Sequence, residues 1–177
     1  GRIHEVEVRV VPTSFRSDWW TAIDSMSALP NEEYAKTIQR RVQSKIRQAE
    51  RLAEELGADG SRNATIVQLA LESVEHTGQA LVLSTRREHC HVLDAALTAV
   101  GLRSGLLIGG VDYRDEFART LRAFVARSIQ VAVGTYQAIG VGFDLPTVAR
   151  GICAAPVANS AGGDKQWRQY RGRFART

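Results

Sequence analysis

Apolar and polar residues alternate through residues 3–11, Ile-His-Glu-Val-Glu-Val-Arg-Val-Val, and this period of two predicts a half-buried strand at a sheet edge. A linker with Trp19 and Trp20 follows, and Asn31-Glu32-Glu33 then offers a helix cap with acidic residues in the first turn. Ala35, Ile38, Val42, Ile46, Ala49, Leu52 and Leu56 recur every three or four positions as far as Gly57, which predicts one long amphipathic helix. A second helix reads from Ser61 to His76, with Ile66, Leu69, Ala70 and Val74 on one side and Gly78 as its stop.

From Gln79 onward, short apolar runs alternate with helical patterns. Strands are expected at Ala80–Leu83, Ser104–Ile108, Ile129–Gly134 and Gly151–Ala155, with helices at Glu88–Val100 and Asp112–Ala126 and a last helix from Asp164. Strands apolar on both faces and joined by crossover helices predict an α/β fold whose mainly parallel sheet is covered by helices. In such sheets the active residues sit in loops beyond the carboxyl ends of the strands.

Composition narrows the class. The 177 residues are 44% hydrophobic and 24% charged, a globular balance with enough length for a real core. No apolar run is long enough to cross a bilayer, and the N-terminus lacks a signal-peptide pattern, so a cytoplasmic protein without membrane partners is expected. Because the chain opens on Gly1 rather than Met, we expect a piece of a longer protein. The net charge is +4, and residues 164–177 alone carry all of it through Lys165, Arg168, Arg171, Arg173 and Arg176 against Asp164. A protein coating nucleic acid spreads positive charge over a face, whereas one basic terminal segment marks a site.

Cys90 and Cys153, far apart in sequence, suit reduced thiols better than a disulfide framework. His89-Cys90-His91 invites a zinc reading, but neighbours on a helix point about 100° apart and no second ligand cluster accompanies them.

The last helix carries the strongest chemical signal. Gln169, Arg173 and Arg176 fall on one stripe, and Trp167, Tyr170 and Phe174 fall on another. Gly172 removes a side chain beside the polar stripe, where something must come close. Two guanidiniums one turn apart suit a polyphosphate whose charge spreads during transfer. Gln169-x-x-Gly172-Arg173-x-x-Arg176 resembles motif VI of the superfamily 2 helicases. Val131-Ala132-Val133-Gly134-Thr135 leading to Gly142-Phe143-Asp144-Leu145-Pro146 resembles motif V. Ala80-Leu81-Val82-Leu83-Ser84-Thr85-Arg86 resembles motif IV, and Ile108-Gly109-Gly110 resembles the glycine turn between those two. In order and spacing the set is similar to the second RecA-like lobe of these motors, of the phage and excision-repair type, over residues 61–177. Ala175 stands where many members have Gly.

The resemblance implies a RecA-like, P-loop NTPase-like three-layer domain at 61–177, preceded by residues 1–60 as an N-terminal strand, linker and long helix. It implies Arg173 and Arg176 as arginine fingers, Gln169 at the γ-phosphate or attacking water, and Gly142 and Asp144 at the nucleotide's ribose. Thr135, the Ser84-Thr85-Arg86 loop and Gly109-Gly110 would grip a DNA or RNA backbone without reading its sequence. The chain has no Gly-Lys dipeptide, and its one Asp-Glu pair, Asp115-Glu116, falls in a helical pattern rather than after an apolar strand. ATP and Mg²⁺ are therefore expected on an N-terminal RecA-like lobe, with no nucleotide bound and no turnover by this chain alone. Two other readings remain open here: a non-catalytic nucleic-acid-binding module, and a Rossmann-type nucleotide-binding domain. The second lacks a G-x-G-x-x-G opening a helix after its first strand.

Overall fold

The computed structural model describes residues 7–15, 47, 50–139 and 150–155. A helical segment over 50–58 ends at Asp59, whose carboxylate accepts from the Arg62 backbone N–H at 2.9 Å and caps helix α1, Gly60–Thr77. Asn63, Ile66, Val67, Ala70 and Ser73 form its buried face, and the Gly78 N–H closes it on the Val74 carbonyl. Strand β1 (Ala80–Ser84), helix α2 (Arg87–Ala99), strand β2 (Ser104–Leu107), helix α3 (Arg114–Val125), strand β3 (Val131–Thr135) and strand β4 (Gly151–Cys153) follow. The sequence placed each of these with ends shifted by a residue or two.

The four strands form one sheet in the order β2-β3-β1-β4, and every pairing is parallel. Its strands carry apolar side chains on both faces because both faces are covered. Ala80, Val82, Leu106, Ile108, Val131 and Val133 pack with Ile66, Val67 and Ala70 of α1 and with Cys90, Leu93 and Leu97 of α2. Leu81, Leu83, Leu107 and Ala132 meet the other layer, where Phe117, Leu121 and Phe124 of α3 lie with Tyr136 and Ile139. The result is the expected three-layer α/β sandwich. Gln79, 2% exposed, anchors the layers at the amino ends of the strands, its side-chain amide donating to the Phe124 carbonyl at 2.7 Å and the Ile129 carbonyl at 3.1 Å.

Gly134 shows how tightly β3 is held. A Cβ built there would lie 2.7 Å from the Leu107 carbonyl oxygen and 2.8 Å from Ile139 Cδ1, so only glycine fits between β2 and the turn after β3.

The N-terminal strand expected at 3–11 is corrected over its described part. Residues 7–15 have no regular structure, and Val8 and Val10 are 48% and 85% exposed. Alternation describes two faces, but a strand needs a partner, and the described part of this segment pairs with none. Of the long helix expected before Gly57, the described residues 50–58 are helical; residues 16–46 lie outside the description.

Candidate functional site

Parallel pairing brings the ends of three strands to one edge. Ser84 of β1 pairs with Thr135 of β3, and Leu107 of β2 pairs with Gly134, so the segments after β1, β2 and β3 leave the sheet side by side. Thr85 and Arg86, Gly109 and Gly110, and Thr135 therefore meet there, on the edge where open α/β sheets hold ligands.

Their surroundings differ. Thr85 is exposed. Arg86 is partly exposed, and its guanidinium donates to the Glu54 carboxylate of the preceding helical segment at 3.1 Å, with Glu88 at 3.6 Å. Gly110, at φ 138°, adopts a backbone conformation that side-chain-bearing residues avoid, and it leaves the turn after β2 open at the surface. Thr135 is 6% exposed, and its hydroxyl oxygen accepts from the Ala138 N–H at 3.3 Å, which shapes the turn leaving β3. Deepest of the set, below even Thr135, is Ser84. Its side chain is fully buried, with the hydroxyl 2.9 Å from His89 Nδ1 instead of directed to solvent. Of the Ser84-Thr85-Arg86 loop, then, Thr85 and Arg86 face outward and Ser84 supports them.

Arg87 and Tyr113 join this edge, and the sequence singled out neither. Arg87, the first residue of α2, holds its guanidinium carbon 5.6 Å above the Tyr113 ring, and its Nη2 lies 3.3 Å from where a Gly110 Cβ would sit. His91 stands beside the same ring at 6.2 Å between centroids. An Arg-Arg pair directly after a strand end was the available signal, and the spatial neighbour Tyr113 was not deducible from spacing.

The far side of the same edge is tied by buried bonds. Tyr136 N–H donates to the Ser84 carbonyl at 3.0 Å, and its hydroxyl donates to the Ala155 carbonyl at 2.8 Å. Arg62 of α1 donates to the Ala154 carbonyl, and burial pulls its guanidinium pKa down, with Asp59 opposing. Burial likewise pushes the Cys90 thiol up to about 12, making it an inert core group, while Cys153 is exposed; both are free thiols. His89 is spoken for at both ring nitrogens, by Ser84 and by Asn63, and among the described residues no cluster of three or more His, Cys, Asp or Glu could hold a metal. Among the described residues no helix is long and apolar enough to cross a membrane.

Gln169, Gly172, Arg173 and Arg176, together with Gly142 and Asp144, lie outside the described residues, as does the final helix.

The sequence matches no protein-family model and no curated protein. Solved structures match it. The chain is similar to S. cerevisiae Dbp5 bound to RNA and ADP BeF3 at TM-score 0.55 and 19% identity, covering 66% of this chain and 29% of that one. The C-terminal domain of the DEAD-box protein Dbp5, solved alone, matches at TM-score 0.53 and 20% identity over 67% of this chain and 63% of its own. The Pyrococcus furiosus Hef helicase domain matches at TM-score 0.52 and 23% identity, covering 71% of this chain and 25% of that one. T4 UvsW matches at 0.55 and 14%, covering 71% and 24%. The chain thus corresponds to under a third of the length of these larger proteins. Its fold is that of the RecA-like C-terminal lobe of superfamily 2 helicases.

Proposed function

We propose that this chain is the second motor lobe of an ATP-dependent superfamily 2 helicase or translocase, gripping a DNA or RNA strand by its backbone. The observation that carries this reading is the level ending of β1, β2 and β3, which gathers Thr85, Arg86, Gly109, Gly110 and Thr135 on one edge of a helicase-lobe fold. Hydroxyls, backbone amides and a guanidinium at strand ends hold a phosphodiester without touching a base edge, and that sequence-independence suits a motor that must step.

Arg173 and Arg176 would meet the γ-phosphate of ATP bound with Mg²⁺ on an N-terminal lobe, with Gln169 at the same phosphate or at the attacking water. Gly172 would let that helix come close, and Gly142 and Asp144 would reach the ribose. ATP supplies the free energy of the cycle, and closure of the two lobes would bring the arginines to it.

The test is a salt titration of binding to labelled oligo(dT) and oligo(U) by fluorescence anisotropy. Weak binding is expected, with a shallow slope of about two or three counterions released. Thr85→Ala and Arg86→Ala should each weaken it for both oligomers alike. Tight binding with a steep slope would favour a non-catalytic binding module, and absence of binding would remove the grip from the reading.

A further inference from the structure

Beneath the loop that reaches the surface at Thr85 and Arg86 lies a closed line of side-chain hydrogen bonds. His89 is 4% exposed, in the first turn of α2, and both of its ring nitrogens are engaged. Nε2 lies 3.0 Å from Asn63 Oδ1 on α1, and Nδ1 lies 2.9 Å from Ser84 Oγ at the end of β1. Asn63 fixes the proton positions. Its Nδ2 donates to the Gly57 carbonyl at 2.9 Å, so Oδ1 must face the histidine and accept. His89 therefore carries its proton on Nε2, leaving Nδ1 to accept from the Ser84 hydroxyl. With its proton committed to Nδ1, Ser84 Oγ offers a lone pair to the Arg86 backbone N–H, 3.4 Å away.

That last bond matters because Arg86 opens α2 in an extended conformation with no side-chain cap of its own. The serine hydroxyl two residues back constrains the chain where it turns from strand to helix. A rotatable hydroxyl can satisfy other partners, and the histidine selects the one orientation that leaves its oxygen toward Arg86.

We infer that His89 is a positioning residue for nucleic-acid binding, holding the Thr85-Arg86 loop in its gripping geometry through Ser84 and referenced to α1 through Asn63. The inference rests on the proposed backbone grip. The imidazole touches no ligand and acts on the strand through the serine alone.

Two isosteric halves of the ring test it. In His89→Asn the side-chain oxygen takes the place of Nδ1 and can still accept from Ser84, while the bond to Asn63 is lost. In His89→Gln the amide nitrogen takes the place of Nε2 and can still donate to Asn63, while Ser84 loses its acceptor. Each variant leaves one partner of the ring unsatisfied and sets one amide atom of its own where the ring had carbon, so both should melt below the parent protein by similar amounts. Oligo(dT) and oligo(U) affinity should separate them: His89→Gln is expected to bind roughly tenfold more weakly, and His89→Asn to rescue binding to near the parent value. Hydrogen exchange at the Thr85 and Arg86 amides should rise in the Gln variant only. Ser84→Ala, which removes a single buried hydroxyl, should match His89→Gln and serves if either histidine variant fails to fold. Equal affinity in the Asn and Gln variants, or parental affinity in Ser84→Ala, would overturn the positioning role while the grip stands. Failure of the unsubstituted chain to bind either oligomer would overturn the grip itself and the inference with it.

Discussion

At the scale of single residues, the buried imidazole makes the protein acid-sensitive in a defined window. Burial, reinforced by the nearby Arg62 charge, holds the His89 pKa down from 6.5 to about 4. The folded state thus keeps this ring neutral where the unfolded chain takes up a proton. Its contribution to stability is full above pH 6.5 and is lost as pH falls toward 4, at a slope approaching about 1.4 kcal/mol per pH unit. Thermal melts of the parent protein and His89→Gln across that range should therefore converge, because the variant has nothing to titrate at that site. Parallel curves would place the acid sensitivity elsewhere. A second residue-scale expectation concerns Gly134. An added methyl there meets the Leu107 carbonyl oxygen at 2.7 Å, a backbone atom that cannot swing away. Gly134→Ala should cost about 1–3 kcal/mol by forcing β2 and β3 apart, read as a lowered midpoint in denaturant at unchanged slope.

At the scale of elements, the helical segment over 50–58 meets the loop after β1 directly at Arg86, besides holding Asn63 through the Gly57 carbonyl. Glu54 holds the Arg86 guanidinium at 3.1 Å, so a phosphate approaching Arg86 competes with a carboxylate already in place. The pair is solvent-exposed on the glutamate side, and such bridges are worth about 0.2–1 kcal/mol. Glu54→Gln should accordingly raise oligonucleotide affinity by a factor of about five at most, and the gain should shrink with added salt. An affinity loss would mean that Glu54 orients Arg86 instead of competing for it. This contact also marks where the sequence stopped being readable. The elements from Gly60 to Cys153 were legible because their strands are apolar on both faces and their helices carry one apolar stripe, both local patterns. The segment at 7–11 misled for the opposite reason: its alternation is local, but strand formation depends on pairing that no local pattern reports. The site followed the same division. That Thr85, Gly109, Gly110 and Thr135 would share an edge follows from strand order in a parallel sheet. The bond from His89 to Asn63, the pairing of Arg86 with Glu54 and the placing of Arg87 over Tyr113 each join partners 26 to 32 residues apart in sequence, which no local pattern reports.

At the scale of the whole molecule, the proposed function divides the chemistry of an enzyme between two bodies, since this chain has no Gly-Lys dipeptide but carries Gln169, Arg173 and Arg176. The chain alone should then hydrolyse no ATP above background, with or without oligonucleotide, and steady turnover by the purified chain would show the lobe to be misassigned. Joined to a first lobe, Arg173→Ala or Arg176→Ala should lower ATP turnover by roughly 10³–10⁵ while ATP binding persists, because finger arginines meet charge that develops during transfer. Arg171 supplies the control. In the helix expected from the sequence, at about 100° per residue, it would project roughly opposite Gln169 and Arg173, off the stripe that would face the phosphate. Its replacement by Ala should change turnover little. The comparison requires unchanged melting temperatures in all three variants, which the packing stripe of Trp167, Tyr170 and Phe174 is expected to provide. If Arg171→Ala proved as damaging as Arg173→Ala at equal stability, the loss would follow the basic charge of residues 164–177 and not the geometry of one helical face. The segment would then act as a diffuse electrostatic patch, and the finger assignment would fall.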